Sequence, residues 1–269
     1  MKLLASECIV LKQQPFKERD RLVTFLARDE GRLTGIARGA QKLTARGVGS
    51  YEPLSRGVIH YTRKAGVELV GIRKLDPVPP YLFLQADYEK FLYASYMAEL
   101  VSLCPIAAAE AEEFFALLAG ALERLYAAAD PPAAALSRLD FELGFLDCLG
   151  LQPDWGRCCA CGDALLTEAG GRPAPVHAAP LAFDRSDGGL RCPRCGPGRA
   201  GDGVLSPGTR AFLAQWRRPQ RPAGLRPTRL ALAELERVVV GHLVHQIERE
   251  PRTLALLPDP ARPAAPHAG

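Results

Sequence analysis

Long apolar runs are missing from this chain: none approaches the roughly 18 uncharged residues of a membrane-spanning helix. The N-terminal MKLLASECIVLK has one leading Lys and a Glu inside its apolar stretch, which suits a strand better than a secretory leader. A cytoplasmic protein with no membrane partner is expected. No G-x-x-x-x-G-K-[ST] cradles a phosphate, so no nucleotide cofactor is expected, and no H-E-x-x-H occurs. The H-x-E of zinc deaminases is also absent, since Ala178 and Ala179 follow His177, and Pro193 comes after Cys192 rather than before it. Five scattered histidines assemble no nucleophile–base pair. The expectation is a protein that is not an enzyme.

What is present describes a globular chain of more than one domain: 269 residues, 48% apolar and 24% charged. The net charge of +4 conceals a pattern. Residues 1–80 hold 15 Lys+Arg against 8 Asp+Glu, residues 81–156 hold 3 against 12, residues 157–229 hold 12 against 5, and residues 230–269 hold 4 against 5. Two basic segments flank an acidic one, which suits polyanion binding; the plainer explanation is that 27 Arg against 7 Lys reflects genome base content and that the charge is a solvated surface.

Short apolar stretches recur near the N-terminus at Leu3–Leu11, Leu22–Ala27, Leu33–Ala37, Val58–Tyr61 and Val67–Leu75. Pro15, Asp29-Glu30-Gly31, Gly47-Val48-Gly49 and Ala65-Gly66 punctuate them as turns. Five strands in so short a span suit a small closed barrel of the OB type, or an SH3-like one, because an open sheet leaves edges to protect. Within it, GRLTGIARGAQKLTARG presents Arg32, Arg38, Lys42 and Arg46 at a strand and its glycine-bounded connection, where cations reach successive phosphates. Phe16, Tyr51 and Tyr61 are candidates for base stacking, with a core role the competing assignment for Phe16 and Tyr61.

From Tyr81 the apolar period becomes helical through Leu100. Ala107–Ala129 and Leu136–Leu149 repeat it, with Asp130-Pro131-Pro132 as separator and Gly150 as stop. Glu110, Glu112, Glu113 and Glu123 are expected to be solvated surface, since no His at i+3 makes them a carboxylate metal site. Pro207–Trp216 and Leu230–Glu248 suggest two further helices, and the Pro/Ala-rich end from Pro258 suggests disorder.

Cys158-x-x-Cys161 and Cys192-x-x-Cys195 are the sharpest motif. Each spacer lets two thiolates face one ion, Gly162 and Gly196 allow the turn, and four thiolates close the shell of one structural Zn²⁺ without room for water. The 30 residues between the pairs must loop out. Cys159 offers a competing register, and His177 a competing ligand. Cys8, Cys104 and Cys148 suit buried small hydrophobes.

The stretch QPFKERDRLVTFLARDEGRLTGIARGAQK, with Glu18-x-Asp20, Glu30-Gly31 and Ala37-Arg38-Gly39-Ala40-x-Lys42, resembles the N-terminal domain of the RecO family of bacterial recombination mediators. That resemblance implies an OB-fold β-barrel followed by an α-helical domain, interrupted by the four-cysteine zinc module that many members carry. The expected ranges are 1–79 for the barrel, 80–154 and 205–257 for the helical domain, 155–204 for the zinc insert and 258–269 for the tail. It also implies DNA contacts at Arg38 and Lys42, and more distantly at Arg32 and Arg46. The implied activity is a recombination mediator that binds single- and double-stranded DNA, anneals complementary strands and, with RecR, promotes RecA loading on DNA coated by single-strand-binding protein, whose C-terminal tail it engages. A nucleoid-associated cytoplasmic location follows. The competing functional class is a zinc-ribbon adaptor for transcription or RNA, in which Arg191 and Arg194 dominate; a scaffold whose basic faces meet acidic proteins is a third.

Overall fold

Alternating burial builds the first five strands: β1 (Lys2–Phe16), β2 (Asp20–Ala27), β3 (Gly31–Ala37), β4 (Arg56–Arg63) and β5 (Val70–Pro77). In this computed structural model, which describes residues 2–40, 51–64, 66–78, 87–169, 171–197, 202–222 and 224–258, they close a barrel in the order β1-β2-β3-β5-β4. All pairings are antiparallel except β3 with β5. That parallel closure makes it an OB barrel and sets aside the SH3-like arrangement. Cys8, Val10, Val23, Phe25, Ile59 and Tyr61 fill the interior at alternate positions.

Pro15, read as a turn, instead lies in β1 opposite Arg21. Among the described residues β1 has here run past its partner β4 and has one neighbour, so a missing N–H is tolerated. The strand expected from Val67 starts at Val70, and Val67 and Leu69 are exposed in the preceding connection.

The residues on the outer face at Ile9 and Leu26 are nevertheless fully buried. Helices α1 (Tyr88–Leu103) and α2 (Ala111–Ala127) pack against β1, β2 and β3 and cover them. α3 (Pro131–Cys148) starts earlier than its apolar period. Asp130 accepts from Ala133 N–H at 2.8 Å, and the two prolines occupy first-turn positions where no N–H is needed, so they open the helix rather than separate it from α2. Gly150 ends α3 in the left-handed region, with Leu151 N–H returning to the Leu146 carbonyl at 2.8 Å.

Two of the α2 glutamates are exposed, as expected, and also reach the barrel. Glu112 pairs with Arg28 at 3.0 Å and Glu123 with Arg56 at 3.0 Å, so the acidic helix docks on the basic barrel. Both arginines also bond Glu7 and lie over the ring of buried Phe115. Part of the segregated charge is therefore neutralised internally.

The contacts divide the chain into two compact units, within α3 after Phe141. Pro251–Leu257 returns to the first, where the Glu99 carboxylate accepts from Arg252 N–H, Thr253 N–H and Thr253 Oγ1 at 3.0, 2.9 and 2.6 Å. The second unit holds a four-stranded sheet ordered β11 (Val204–Leu205), β9 (Leu181–Asp184), β10 (Gly189–Leu190), β6 (Asp154–Cys158). It also contains the hairpin β7 (Leu166–Ala169)–β8 (Arg172–Pro175) and the helices α4 (Pro207–Trp216) and α5 (Arg229–Ile247). Its sheet packs Trp155 on Phe183 at 5.7 Å, with His242 of α5 edge-on to Phe183. Among the described residues no helix is long and apolar enough to cross a membrane.

Gly31 links barrel to helices most tightly. Its φ is +77°, and a Cβ there would stand 2.2 Å from the Ile106 carbonyl oxygen. Gly39 has φ +68° and open space around it. Gly31→Ala should therefore cost well over 2 kcal/mol in urea denaturation, against about 1 kcal/mol for Gly39→Ala.

Candidate metal centre and nucleic-acid interface

The four motif cysteines converge: the sulfurs of Cys158, Cys161, Cys192 and Cys195 lie within 4.8 Å of one another. Cys158 ends β6 and Cys192 follows β10; these strands run parallel, which brings the two knuckles side by side. Gly162 (φ +78°) and Gly196 (φ +77°) complete the turns. Their surroundings are open at the Cβ position, so backbone conformation alone calls for glycine there. Cys161 Sγ and Cys192 Sγ are 3.7 Å apart. A tetrahedron with metal–sulfur bonds of about 2.3 Å has edges of about 3.8 Å, so the cluster fits a four-coordinate ion.

The electrostatics agree. Burial raises the Cys158 thiol, but N–H groups of Cys192, Cys161 and Ala160 aimed at its sulfur outweigh that and bring it down to about 6. Hydrogen bonds to Cys161 and Cys192 push Cys195 up to about 12, because four sulfurs this close cannot all ionise without a central cation. The residues therefore fit a metal ion, which Cys158, Cys161, Cys192 and Cys195 would hold.

The competing donors stand apart. Cys159 gives its N–H to the Leu190 carbonyl at 2.9 Å, and its Cβ packs toward Gly189. His177 offers its carbonyl to buried Arg210 at 2.5 Å and is not part of the cluster. The long excursion between the pairs folds as two hairpins, β7–β8 and β9–β10. Cys8 and Cys104 are buried, with burial pushing the Cys8 thiol up to about 12; Cys148 is half-buried.

On the barrel, Arg38 follows β3 and is exposed. The turn behind it is braced by Asp20, whose Oδ1 accepts from Gly39 N–H at 3.0 Å, which gives the Glu18-x-Asp20 and Ala37-Arg38-Gly39 motifs one shared physical purpose. Arg32 lies on the outer face of β3 and is half-buried, its own N–H bonded to the Ile106 carbonyl at 3.1 Å. Lys42 and Arg46 lie outside the described residues. Tyr61 is 1% exposed and packs on Phe25 inside the barrel, so it presents no stacking surface. Tyr51 packs on the same core, and Phe16 is half-buried under Lys17.

The other arginines divide by their partners. Arg28 and Arg56 are tied as described, and Arg63 bonds Glu30 at 2.8 Å. In the second unit Arg191 bonds Asp184 and Asp187 at 2.8 and 2.7 Å, and Arg194 pairs with Asp163, fastening one knuckle to the other. Sequence inspection missed Arg73 and Lys74. With Leu3, His60 and Thr62 they line an open concavity of about 520 Å³ on the barrel. An irregularity in the β4–β5 pairing sets Lys74 opposite His60, which strand alternation alone does not anticipate.

Comparison with known proteins comes from two directions. The family profile described as Recombination protein O N terminal matches residues 1–81, and the one described as Recombination protein O C terminal matches residues 85–255. The chain is 35% identical over 260 residues to the DNA repair protein RecO of Roseiflexus sp. (strain RS-1), covering 94% of this chain and 84% of that one. It is 32% identical over 261 residues to the DNA repair protein RecO of Pelotomaculum thermopropionicum, covering 96% and 94%. The RecO of Anaeromyxobacter sp. (strain K) is 32% identical over 205 residues, 76% and 75% of the two chains. With the barrel matched by one profile and nearly all that follows by the other, this chain belongs to the recombination protein O family, the family of the DNA repair protein RecO.

Proposed function

We propose that this chain is a non-enzymatic DNA-binding mediator of recombinational repair. It binds single- and double-stranded DNA through the barrel, anneals complementary strands, and with RecR promotes RecA loading on strands coated by single-strand-binding protein, whose tail it engages. Its place is the nucleoid of the cytoplasm. The observation that carries this is Arg38: an exposed cation on a turn braced by Asp20, on a barrel where Arg28, Arg56 and Arg63 are tied to carboxylates. Lys42 and Arg46 follow it in sequence, and Arg32 precedes it on β3, the strand that leads into its turn. Cations held this way bind phosphate by displacing counterions, and bringing two neutralised backbones together lowers the repulsion that opposes annealing. No bond is made or broken, so no nucleotide is needed.

The ion in the four-cysteine centre is one structural Zn²⁺. Thiolate softness and tetrahedral spacing favour zinc, and four protein ligands leave no open position for a water nucleophile. The zinc-ribbon adaptor is disfavoured by the pairing of Arg191 and Arg194 with acids of their own unit, which takes the two cations it depends on away from a phosphate.

Arg38→Ala combined with Lys42→Ala should weaken oligonucleotide binding. It should also lower the slope of log affinity against log salt by about 1.4, two single-strand phosphate contacts' worth. Arg63→Ala, which removes a cation tied to Glu30, should leave that slope unchanged; equal slopes for all three proteins in a fluorescence-anisotropy salt series would reject the barrel site. Cys158→Ser and Cys192→Ser should lose about one equivalent of zinc by elemental analysis and unfold the β6–β11 region, whereas Cys159→Ser should retain the metal. Annealing should partly survive in the first two if the barrel carries it.

A further inference from the structure

The concavity on the barrel meets the Arg38 turn through the parallel pairing of β3 with β5. That pairing runs as far as Ala37 with Ile72, and both of these residues lie in the core. Arg38 and Arg73 each follow that last pair, so the two cations leave neighbouring strands, about 4.8 Å apart, at the same level. Both are exposed, and neither meets a carboxylate among the described residues.

The pairing of β5 with β4 adds a third cation to this row. Tyr61 pairs with Ile72 and His60 with Lys74, so Arg73 is an extra residue with no partner on β4. Such a bulge breaks the alternation of faces, and Arg73 and Lys74 are both exposed where a regular strand would have turned one of them inward. The floor beside them is low. A Cβ on Gly71 would stand 2.9 Å from Thr62 Oγ1, which donates to the Gly71 carbonyl at 3.3 Å. Leu3, paired with Thr62 and 64% exposed, forms the far rim. The acid of this surface is Asp76, which accepts from Lys74 Nζ at 2.6 Å and lies 3.0 Å from His60 Nε2. One carboxylate is thus shared by two basic groups, and Arg73 stands outside the set.

We infer that a bound single strand leaves the Arg38 turn across β5 rather than back along β3 toward Arg32: Arg73 and Lys74 meet the phosphates that follow Arg38, and the concavity floored by Gly71 and Thr62 receives the sugar and base between them. This rests on the proposal that the barrel binds DNA, and it deepens it by giving the strand a direction, across the β-strands. Arg32 suits the track less well, because it is half-buried where the backbone of β3 is bonded to the Ile106 carbonyl. An acidic protein segment would also satisfy the charges. The row continues from Arg38, however, and its concavity is open, which suits a charged chain lying along it better than one anchoring side chain.

The test uses the full chain and a fluorescein-labelled dT oligonucleotide. Arg73→Gln with Lys74→Gln should lower the slope of log affinity against log salt by about 1.4, two single-strand contacts' worth, while circular dichroism stays unchanged. Arg32→Gln should keep the wild-type slope. Asp76→Asn, which releases Lys74 and His60 from their carboxylate, should tighten binding about threefold at low salt, a gain that lost packing cannot mimic. With thiothymidine in the oligonucleotide, ultraviolet cross-links should map to β5 by mass spectrometry. An unaltered slope for the Arg73→Gln, Lys74→Gln protein beside a lowered one for Arg38→Ala, Lys42→Ala would overturn this track and leave the barrel proposal standing. A slope lowered by Arg32→Gln alone would overturn it in favour of a path along β3. Binding of labelled polyglutamate that Arg73→Gln with Lys74→Gln abolishes, with the oligonucleotide slope unmoved, would assign the surface to an acidic protein instead. Absence of any oligonucleotide binding by the wild-type chain would remove both proposals.

Discussion

Arg28, in the turn after β2, and Arg56, which opens β4, meet at one carboxylate, Glu7, while their guanidinium groups lie over the ring of Phe115 and also pair with Glu112 and Glu123 of α2. This clamp is the constraint on which the first unit depends. Phe115 is fully buried although it faces a highly charged seam, because arginine is the one cation that stacks flat on an aromatic ring and still bonds carboxylates at its edge. Each exposed pair alone would contribute little. Sharing Glu7 and the ring makes the set cooperative, since the fixing of one side chain lowers the entropy lost by the next.

The clamp also determines which cations remain for a polyanion. By holding Arg28 and Arg56 against α2, and with Arg63 held by Glu30, the fold neutralises one side of the barrel and leaves Arg38 presented on a turn stiffened by Asp20. Charge is thus sorted by position rather than by amount. In the second unit Arg191, Arg194, Arg217 and Arg218 are likewise tied to acids. The acid partners reinforce the metal knuckles and the helix end, so local stability and ligand binding draw on different residues.

The metal centre shows how little of a site needs long-range information when its chemistry is local. The two C-x-x-C pairs and the glycine after each were legible at once, because knuckle geometry is set by four or five consecutive residues. The strand count of the barrel was legible for the same reason. Strand ends were less so: Pro15 was readable as a turn, and it is acceptable within β1 because β4 pairs with β1 only as far as Ile9. Pro131 and Pro132 likewise change from separators to helix openers once Asp130 is seen capping Ala133. The role of Glu112 and Glu123 was not legible, since a glutamate on an alanine-rich helix has the same local sequence whether it meets water or an arginine some 60 or more residues away.

The sequence by itself determined the period-two barrel strands, the helical periods, the four thiolate ligands and the candidate cations at Arg32, Arg38, Lys42 and Arg46, all of them properties of neighbouring residues. Only the tertiary structure decided which cations face a carboxylate and which face solvent, and that Tyr61 is core and Trp216 half-exposed. The physical reason is that an ion pair, a ring stack or a sulfur tetrahedron depends on distances of 3–4 Å between residues far apart along the chain, and such distances are set only when the packing of strands and helices is complete.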